Sequence, residues 1–180
     1  METKIFGGKK LTIRKIEKSD LNKARGFQKL INGLVAEEAK ILWKEKLSVK
    51  TEKDWLEKLL KETKRKSKVY LFAYDGNMIV GSVAIGLQTQ RRDHIGEMDI
   101  LIANGYRGMG LGKYLMLEIM KLAKKELRPS PKIFQLEVYE NNKPAIALYK
   151  KMGFKIVGKI PKQIQYKGRL IGEYIMIKNI

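Results

Sequence analysis

Short runs of apolar residues, either alternating with polar ones or continuous, mark most of the strands of this 180-residue chain. Alternation with a period of two places successive side chains on opposite faces of a sheet, and β-branched and aromatic residues favour that setting. The predicted strands are Leu11–Arg14, Lys68–Tyr74, Met78–Ile85, Ile95–Ile102, Ile133–Val138, Phe154–Ile160 and Leu170–Ile177. Asp75, Gly76 and Asn77, between the second and third strands, predict a hairpin turn.

Apolar residues spaced three or four positions apart predict four helices, because that spacing lines one face of an α-helix. Ser19-Asp20 is a start signal for the first helix, and Thr51 to Asp54 resembles a capping box that begins the second. The predicted helices are Leu21–Leu34, a segment that follows Asp54, Leu111–Leu127 and Asn142–Met152. The resulting order β-α-α-β-β-β-α-β-α-β-β predicts a mixed α/β fold.

A glycine-rich turn separates the predicted strand that ends at Ile102 from the helix that begins at Leu111. Its sequence is Tyr106-Arg107-Gly108-Met109-Gly110-Leu111-Gly112-Lys113. Glycines at a strand-to-helix turn let backbone N–H groups approach an anion closely. The N-terminus of the following helix adds unsatisfied donors and the positive end of its dipole. The turn therefore predicts a site for a pyrophosphate or a similar anion.

Two common phosphate-binding templates do not fit this turn. A P-loop requires Ser or Thr after Gly-Lys, where Tyr114 stands here, and a first glycine where Arg107 stands. A dinucleotide-binding turn requires Gly-x-Gly-x-x-Gly and an acid about 20 residues later, whereas the spacing here is Gly108-x-Gly110-x-Gly112. A third template, Arg-x-x-Gly-x-Gly, binds the pyrophosphate of coenzyme A and fits at every position.

A second motif lies one predicted helix and one predicted strand farther along. The segment Asn142-Lys143-Pro144-Ala145-Ile146-Ala147-Leu148-Tyr149 leads into Lys150-Lys151-Met152-Gly153-Phe154. It fits the pattern Asn-x-x-Ala-x-x-Leu-Tyr-x-x-x-Gly-Phe. With the glycine-rich turn before it, the chain resembles the GNAT superfamily of N-acetyltransferases from Ile95 to Phe154. The resemblance is to the ribosomal-protein-alanine acetyltransferase branch or to a branch that acts on small amines.

This resemblance implies one GNAT-type domain over residues 1–180. The domain would have a twisted, mostly antiparallel sheet of about seven strands, about four flanking helices and splayed parallel strands at the cofactor site. The implied cofactor is acetyl-CoA. The residues that the resemblance assigns to coenzyme A are Ile100, Leu101, Ile102, Arg107, Gly108, Met109, Gly110, Leu111, Gly112, Lys113, Asn142 and Tyr149. Asn142 is expected near the pantetheine arm, and a backbone N–H of Ile100–Ile102 is the expected oxyanion donor.

Transfer of an acetyl group from a thioester to an amine requires an unprotonated amine, donors for the oxyanion and a proton for the departing thiolate. The resemblance places Tyr149 beside the thioester sulfur, where its hydroxyl would act as the acid. Glu97 and Asp99 share one face of a predicted strand, and Glu137 points outward from another. We rank Glu97 slightly ahead of Glu137 as the general base, with His94 third.

The composition limits the cofactors and partners. The chain has no Cys and one His, which excludes a disulfide framework, a thiolate nucleophile and a metal site built from Cys or several His residues. Lys, Glu or Gly interrupts the longest apolar runs, and the amino terminus lacks an apolar signal-peptide core. We therefore expect no metal, no membrane contact and a cytoplasmic location, with the chain as a monomer or a homodimer.

The formal net charge of +19 at pH 7 is large. Lysines are scattered along the predicted helices, and only Lys61 to Lys68 forms a dense patch, without the interleaved aromatic residues that stack on single-stranded nucleic acid. A solvated, Lys-rich surface of the kind common in hyperthermophiles is therefore favoured over a dedicated nucleic-acid site. A weak electrostatic contact with RNA or the ribosome is expected.

The sequence thus predicts an acetyl-CoA-dependent N-acetyltransferase that uses direct attack in a ternary complex. The acceptor is a protein α-amine or lysine, a polyamine or a small amino compound, and the fold does not choose among them. Two alternatives stay open: a non-catalytic acyl-CoA-binding regulator, and a basic protein associated with nucleic acid or the ribosome. Trp43 lies between the first two helices, and we expect it in the core or at the rim of the acceptor site rather than as a substrate platform.

Overall fold

The computed structural model describes all residues from Met1 to Ile180. Eight strands and four α-helices follow one another along the chain, with two short 3₁₀-helices at Lys18–Lys23 and Gln90–Arg92. The strands are β1 (Glu2–Phe6), β2 (Lys9–Lys15), β3 (Lys68–Asp75), β4 (Met78–Leu87), β5 (Ile95–Ile102), β6 (Ile133–Tyr139), β7 (Lys155–Tyr166) and β8 (Arg169–Asn179). The α-helices are α1 (Ala24–Ala36), α2 (Val49–Lys64), α3 (Leu111–Glu126) and α4 (Lys143–Lys151).

All eight strands form one sheet in the order β1-β2-β3-β4-β5-β6-β8-β7. Every neighbouring pair is antiparallel except β5 and β6, which are parallel. The parallel pairing covers only Ile95–Glu97 against Ile133–Gln135, although β5 continues to Ile102 and β6 to Tyr139. The unpaired ends, residues 98–102 and 136–139, border a gap that we call the split. This gap confirms the predicted splayed parallel strands.

Each face of the sheet carries its own hydrophobic core, because side chains alternate along the strands. On one face, α3 and α4 cover a core that includes Met98, Leu115 and Phe134. On the other face, α1 and α2 cover a second core that includes Phe27 and Leu56. Because the split interrupts the sheet itself, groups on one face can reach groups on the other.

Strand β1 is an addition to the predicted strands. Of its residues only Phe6 is buried, and Ile5 is 74% exposed. An edge strand with no buried face does not need alternating apolar residues, so its sequence carries no period-two signal. Its place in the sheet comes instead from backbone pairing with β2.

Strand β7 continues to Tyr166, well beyond the predicted end at Ile160. Pro161 lies inside it, and proline normally interrupts a strand because it cannot donate a hydrogen bond to the ladder. Here β7 is the outermost strand of the sheet, so only one of its edges is paired. Its register shifts between Ile160 and Ile164, which accommodates the proline.

The first helix begins later than the sequence predicts. Asp20 lies in the 3₁₀-helix Lys18–Lys23, and α1 starts only at Ala24. The carboxylate of Asp20 is fully buried, accepts the Glu17 N–H at 2.8 Å and receives two hydrogen bonds from Arg14 at 2.6 and 2.7 Å. This ion pair holds Asp20 against β2, so the residue does not cap an α-helix.

The second helix begins earlier than the sequence predicts. Its capping residue is Ser48, whose Oγ accepts the Thr51 N–H at 3.1 Å, and the first helical residue is Val49. The predicted capping box from Thr51 to Asp54 therefore lies inside α2. The prediction was wrong because Ser48 is an equally good cap that stands about one turn earlier.

Candidate active site

The loop between β5 and α3 holds its backbone in a conformation that glycine adopts most easily. Gly105, Gly108 and Gly110 have φ angles of +79°, +75° and +88°, and Gly110 is the cap of α3. None of the backbone N–H groups from Arg107 to Lys113 donates to another group of the chain. These free donors and the positive end of the α3 dipole together form a cradle suited to an anion.

The side chain of Arg107 ties this loop to the end of β5 and to the end of α1. Its Nε donates to the Ile102 carbonyl at the end of β5 at 3.0 Å, and its guanidinium pairs with Glu37, the residue that follows α1. The Arg107 side chain is still 47% exposed. It can therefore also contact an anion bound by the loop.

Tyr149 is buried in α4 on the same face of the sheet as α3. Its side chain is 7% exposed, its ring centroid lies 6.3 Å from that of Phe154, and its hydroxyl makes no hydrogen bond within the chain. Burial raises the pKa of Tyr149 to about 12, and the negative charge of Asp99 adds to the shift. The hydroxyl is therefore protonated at neutral pH and free to donate.

The rest of α4 packs less tightly. Ala145, Ile146 and Leu148 are only half-buried against the core, and the side chain of Asn142 does not cap the helix that follows it. A Cβ added to Gly112 at the start of α3 would lie 3.5 Å from Leu148, in ordinary contact. The first turn of α3 and Leu148 of α4 thus lie close to each other.

Acidic side chains gather on the opposite face of the sheet. Glu97 of β5 pairs in register with Gln135 of β6 at the last step before the strands diverge. Asp99 and Glu137 are the next residues on that face of each strand, so they border the mouth of the split from its two sides. The structure thus brings together Glu97 and Glu137, the two acids ranked as bases from the sequence, with Asp99 beside them.

The pKa values of these acids reflect their crowding. Loss of hydration among the surrounding protein atoms raises the pKa of Asp99, and Glu97 raises it further, while Lys68 lowers it. The side chain of Asp99 nonetheless reaches solvent, so it sits low in an open cleft rather than in a closed core. Loss of hydration also raises the pKa of Glu137, followed by the charges of Glu97 and Asp99.

Glu173 on β8 is a further acid of this face, and the sequence analysis assigned it no role. Its side chain is 4% exposed. No group of the chain donates to its carboxylate, whose oxygens still reach solvent. It pairs in register with Tyr139, while Glu137 pairs with Ile175, so the two glutamates are diagonal neighbours. Burial raises the pKa of Glu173, and so does Glu137. One sequence signal could have pointed to Glu173: it is a charged residue at an inward position of an otherwise apolar strand.

Two tyrosines close one end of this acidic cleft. The Tyr139 hydroxyl donates to the Ile41 carbonyl at 2.6 Å, and the Tyr166 hydroxyl donates to the Glu38 carbonyl at 2.8 Å. Their rings meet edge to face with centroids 5.9 Å apart. Lys167 adds a 2.6 Å ion pair with Glu38. The hairpin of β7 and β8 is thus tied to the segment after α1.

Two other residues from the sequence analysis lie farther from this arrangement. His94 precedes β5, and its carbonyl accepts the Lys132 N–H at the closed end of the parallel pair, away from the split. Trp43 is 43% exposed, so it is not part of the core. It follows Ile41 by two residues, which agrees with a place at the rim of the acidic cleft.

The sequence profile of the acetyltransferase (GNAT) family matches residues 35–154, a segment that includes the split, the glycine-rich loop and Tyr149. The chain belongs to this family. This membership and the observed sheet confirm the predicted family and the predicted α/β GNAT fold. They also agree with the predicted enzyme class, since the family is one of acetyltransferases.

Individual GNAT relatives show how far the similarity extends. The chain is 31% identical over 105 residues to L-amino acid N-acetyltransferase AaaT of Escherichia coli (strain K12). That match covers 58% of this chain and 63% of the relative, which is less than two thirds of the relative's length. A GNAT-family acetyltransferase from Streptococcus pneumoniae has a TM-score of 0.78 at 28% identity, covering 94% of this chain and 99% of that one.

The protein yncA from Salmonella typhimurium, solved with its cofactor acetyl-CoA, has the same fold. Its TM-score is 0.77 at 18% identity, with coverage of 94% of this chain and 93% of that one. At this identity the likeness concerns the fold. It shows that the GNAT architecture of this chain occurs in a protein that holds acetyl-CoA.

Proposed function

We propose that this chain transfers the acetyl group of acetyl-CoA to a primary amine by direct attack in a ternary complex. The observation that carries the proposal is the split in the sheet. On one face it adjoins the free N–H donors of the loop and the unpartnered hydroxyl of Tyr149; on the other it adjoins the carboxylates. Cofactor and acceptor would approach from opposite faces and react where the strands diverge.

The residues around the split fit coenzyme A. The free N–H groups from Arg107 to Lys113, with the Arg107 guanidinium, would hold the pyrophosphate. A Cβ built on Gly108 or Gly110 meets nothing within 4 Å, so the space in front of the loop is open for a ligand. The unpaired edge of β5 from Ile100 to Ile102 supplies backbone groups for the amide-bearing pantetheine arm, with Asn142 beside it.

The chemistry then needs few groups from the protein. The amine nitrogen attacks the thioester carbonyl carbon, a backbone N–H of Ile100–Ile102 stabilises the resulting oxyanion, and the carbon–sulfur bond breaks. The Tyr149 hydroxyl donates its proton toward the departing sulfur as negative charge develops there. No covalent intermediate on the enzyme is required, and the chain has no Cys to form one.

The carboxylates on the acceptor face would remove the proton from the incoming ammonium. Asp99 and Glu137 border the mouth of the split, and Glu97 lies one step below Asp99 on the same strand. A carboxyl whose pKa is raised toward neutrality is a more effective base than an ordinary one. We therefore add Asp99 to Glu97 and Glu137 as the residues that accept the proton, directly or through water.

The test is release of coenzyme A thiol from acetyl-CoA with a panel of primary amines, in wild type and in Tyr149→Phe. We expect turnover in wild type and a fall in kcat of about tenfold or more in Tyr149→Phe, while the affinity for coenzyme A changes much less. The phenylalanine keeps the packing against Phe154 and removes only the hydroxyl.

The initial-rate pattern of the same assay tests direct attack. Reciprocal plots at several acceptor concentrations should intersect, as they do when both substrates must be bound before reaction. Parallel lines would indicate a covalent acetyl-enzyme and contradict direct attack. Unchanged kcat in Tyr149→Phe would remove this residue from the mechanism, and absence of turnover with every amine would contradict the proposed function.

A further inference from the structure

The acceptor face of the split is acidic, although the chain as a whole carries a net charge of +19. Four carboxylates share this face across three neighbouring strands: Glu97 and Asp99 on β5, Glu137 on β6 and Glu173 on β8. Lys68 is the one basic group that lowers the pKa of Asp99, and no basic group acts in this way on Glu137 or Glu173. Acids concentrated in one cleft of a basic protein attract a cation there.

Glu173 gives the cleft a further carboxylate, which could bind a second positive charge. Its side chain is 4% exposed, yet its carboxylate has no donor within the chain, and its oxygens still reach solvent. A carboxylate that has lost most of its hydration without gaining a partner is unfavourable, so a cationic ligand that reached its oxygens would be bound favourably. Asp99 and Glu137 at the split are nearer to the reacting amine, which leaves Glu173 for a second ammonium group.

Aromatic rings complete the surroundings of Glu173. Tyr139 is its partner in register on β6, and the ring of Tyr166 stands edge to face against Tyr139. Aromatic faces attract ammonium groups. Diagonal neighbours on adjacent antiparallel strands, such as Glu137 and Glu173, are about 7–8 Å apart, which suits an extended alkyl chain with a charge at each end. No group of three or more acidic or His side chains converges closely enough to hold a metal ion, so the spacing favours an organic cation.

We propose that the acceptor is a linear aliphatic amine with two or more ammonium groups. One ammonium would lie at Asp99 and Glu137, where it loses its proton and is acetylated, and a second would be held by Glu173 beside Tyr139. This inference rests on the proposed function. An α-amino acid would fit poorly, because its own carboxylate would lie next to the reacting nitrogen and face Asp99 and Glu137.

A series of three acceptors with the same length and different charge tests this inference. 1,5-Diaminopentane carries two positive charges, pentylamine carries one, and 5-aminopentanoate is zwitterionic with no net charge. We expect kcat/KM to fall in that order, with the diamine about tenfold or more above pentylamine. The advantage of the diamine should shrink as salt concentration rises, since partly exposed charges are screened.

Glu173→Gln tests the assigned place of the second ammonium, because it removes the charge and keeps the shape. The ratio of kcat/KM for the diamine to that for pentylamine should fall towards one. Glu57→Gln is the matched control, since Glu57 is exposed on α2 and lies outside the cleft; it should leave the ratio unchanged. Calorimetric binding of coenzyme A to each variant verifies that the cofactor side is intact.

The outcomes separate this inference from the proposed function. Absence of turnover with these three acceptors and with every other amine tested would contradict the function itself. Equal kcat/KM for all three, or faster acetylation of a peptide α-amine than of any diamine, would overturn the inference and leave the acetyltransferase assignment in place. An unchanged ratio in Glu173→Gln would overturn the role of Glu173.

Discussion

Glu52 is a buried acid that the proposed chemistry does not use. Its side chain is 2% exposed on the inner face of α2, beside Leu56 and Leu59 of the same helix. Burial raises the pKa of Glu52 to about 7, because the ionised carboxylate loses its hydration without gaining a partner. The folded protein therefore retains a proton on Glu52 at a pH where the unfolded chain has already released it.

We expect this group to make the protein less stable as pH rises from about 4.5 to about 7. Within that window the folded state binds more protons than the unfolded state, so the free energy of unfolding falls with pH. Glu52→Gln should remove this contribution and stabilise the protein at pH 8 by up to about 3 kcal/mol, with little effect at pH 4.

Urea unfolding of wild type, Glu52→Gln and the exposed control Glu57→Gln at pH 4 and pH 8 measures this contribution. The informative quantity is the difference between each variant and wild type, since other carboxylates also titrate in this range. A difference for Glu52→Gln that does not depend on pH would contradict the assignment.

For single residues, the sequence predicts the roles that follow from local spacing, and these roles stay predictions. The loop from Arg107 to Lys113 and the Tyr149 motif were found because each is a contiguous segment with a characteristic pattern. Glu173 was missed because it joins Asp99 and Glu137 only through the order of strands in the sheet. Such an order depends on pairing between distant segments, which one sequence does not display.

Among the secondary-structure elements, the loop before α3 places the strictest demand on the sequence. Gly110 has a φ of +88° and directly precedes the first helical residue. A β-branched side chain there would force the backbone out of this conformation at a cost of about 1–3 kcal/mol or would shift the loop. Either outcome would misalign the free N–H donors.

We therefore expect Gly110→Val to weaken coenzyme A binding by about tenfold or more, while the protein remains folded. Isothermal titration calorimetry measures the affinity, and circular dichroism verifies the fold. Gly33→Ala is the matched control: Gly33 lies in the exposed part of α1, and a Cβ there meets nothing within 4 Å. Affinity in Gly110→Val equal to that of wild type would rule out the loop as the pyrophosphate site.

A helix or strand could be predicted from the sequence when one of its faces is buried. The strands β3 to β6 and all four helices were predicted because their apolar periodicity reports a buried surface. Strand β1 and the far half of β7 were not, because edge strands are held by backbone pairing and bury little. Helix starts were misplaced where Asp20 and Ser48 make contacts that compete with the expected caps.

For the whole molecule, the net charge of +19 has consequences separate from the proposed catalysis. The basic side chains lie mostly on exposed helix and loop surfaces, including Lys61, Lys64 and Arg65 in the dense patch at the end of α2. No helix combines the length and the apolar character needed to cross a membrane. The electrostatic contact with RNA or the ribosome stays a prediction that rests on these basic side chains.

We expect the protein to bind RNA weakly at low salt and to lose about tenfold or more of that affinity between 50 and 200 mM monovalent salt. Fluorescence anisotropy with a labelled duplex and a labelled single strand measures it. Replacing Lys61 and Lys64 by Gln should reduce affinity modestly if the contact is diffuse. Complete loss in that variant, or affinity that does not change with salt, would instead indicate a dedicated nucleic-acid site.

The free N–H groups of the loop and the unpaired edge of β5 have an evolutionary consequence. Both are main-chain features, so the contacts that these backbone groups would make with the cofactor depend little on which side chains occupy the segment. Selection would then hold the glycines and the fully buried Leu111, while an exposed neighbour such as Lys113 can change as long as the backbone path survives. The acidic cleft, by contrast, is made of side chains, so acceptor preference can diverge between homologues while use of the cofactor persists.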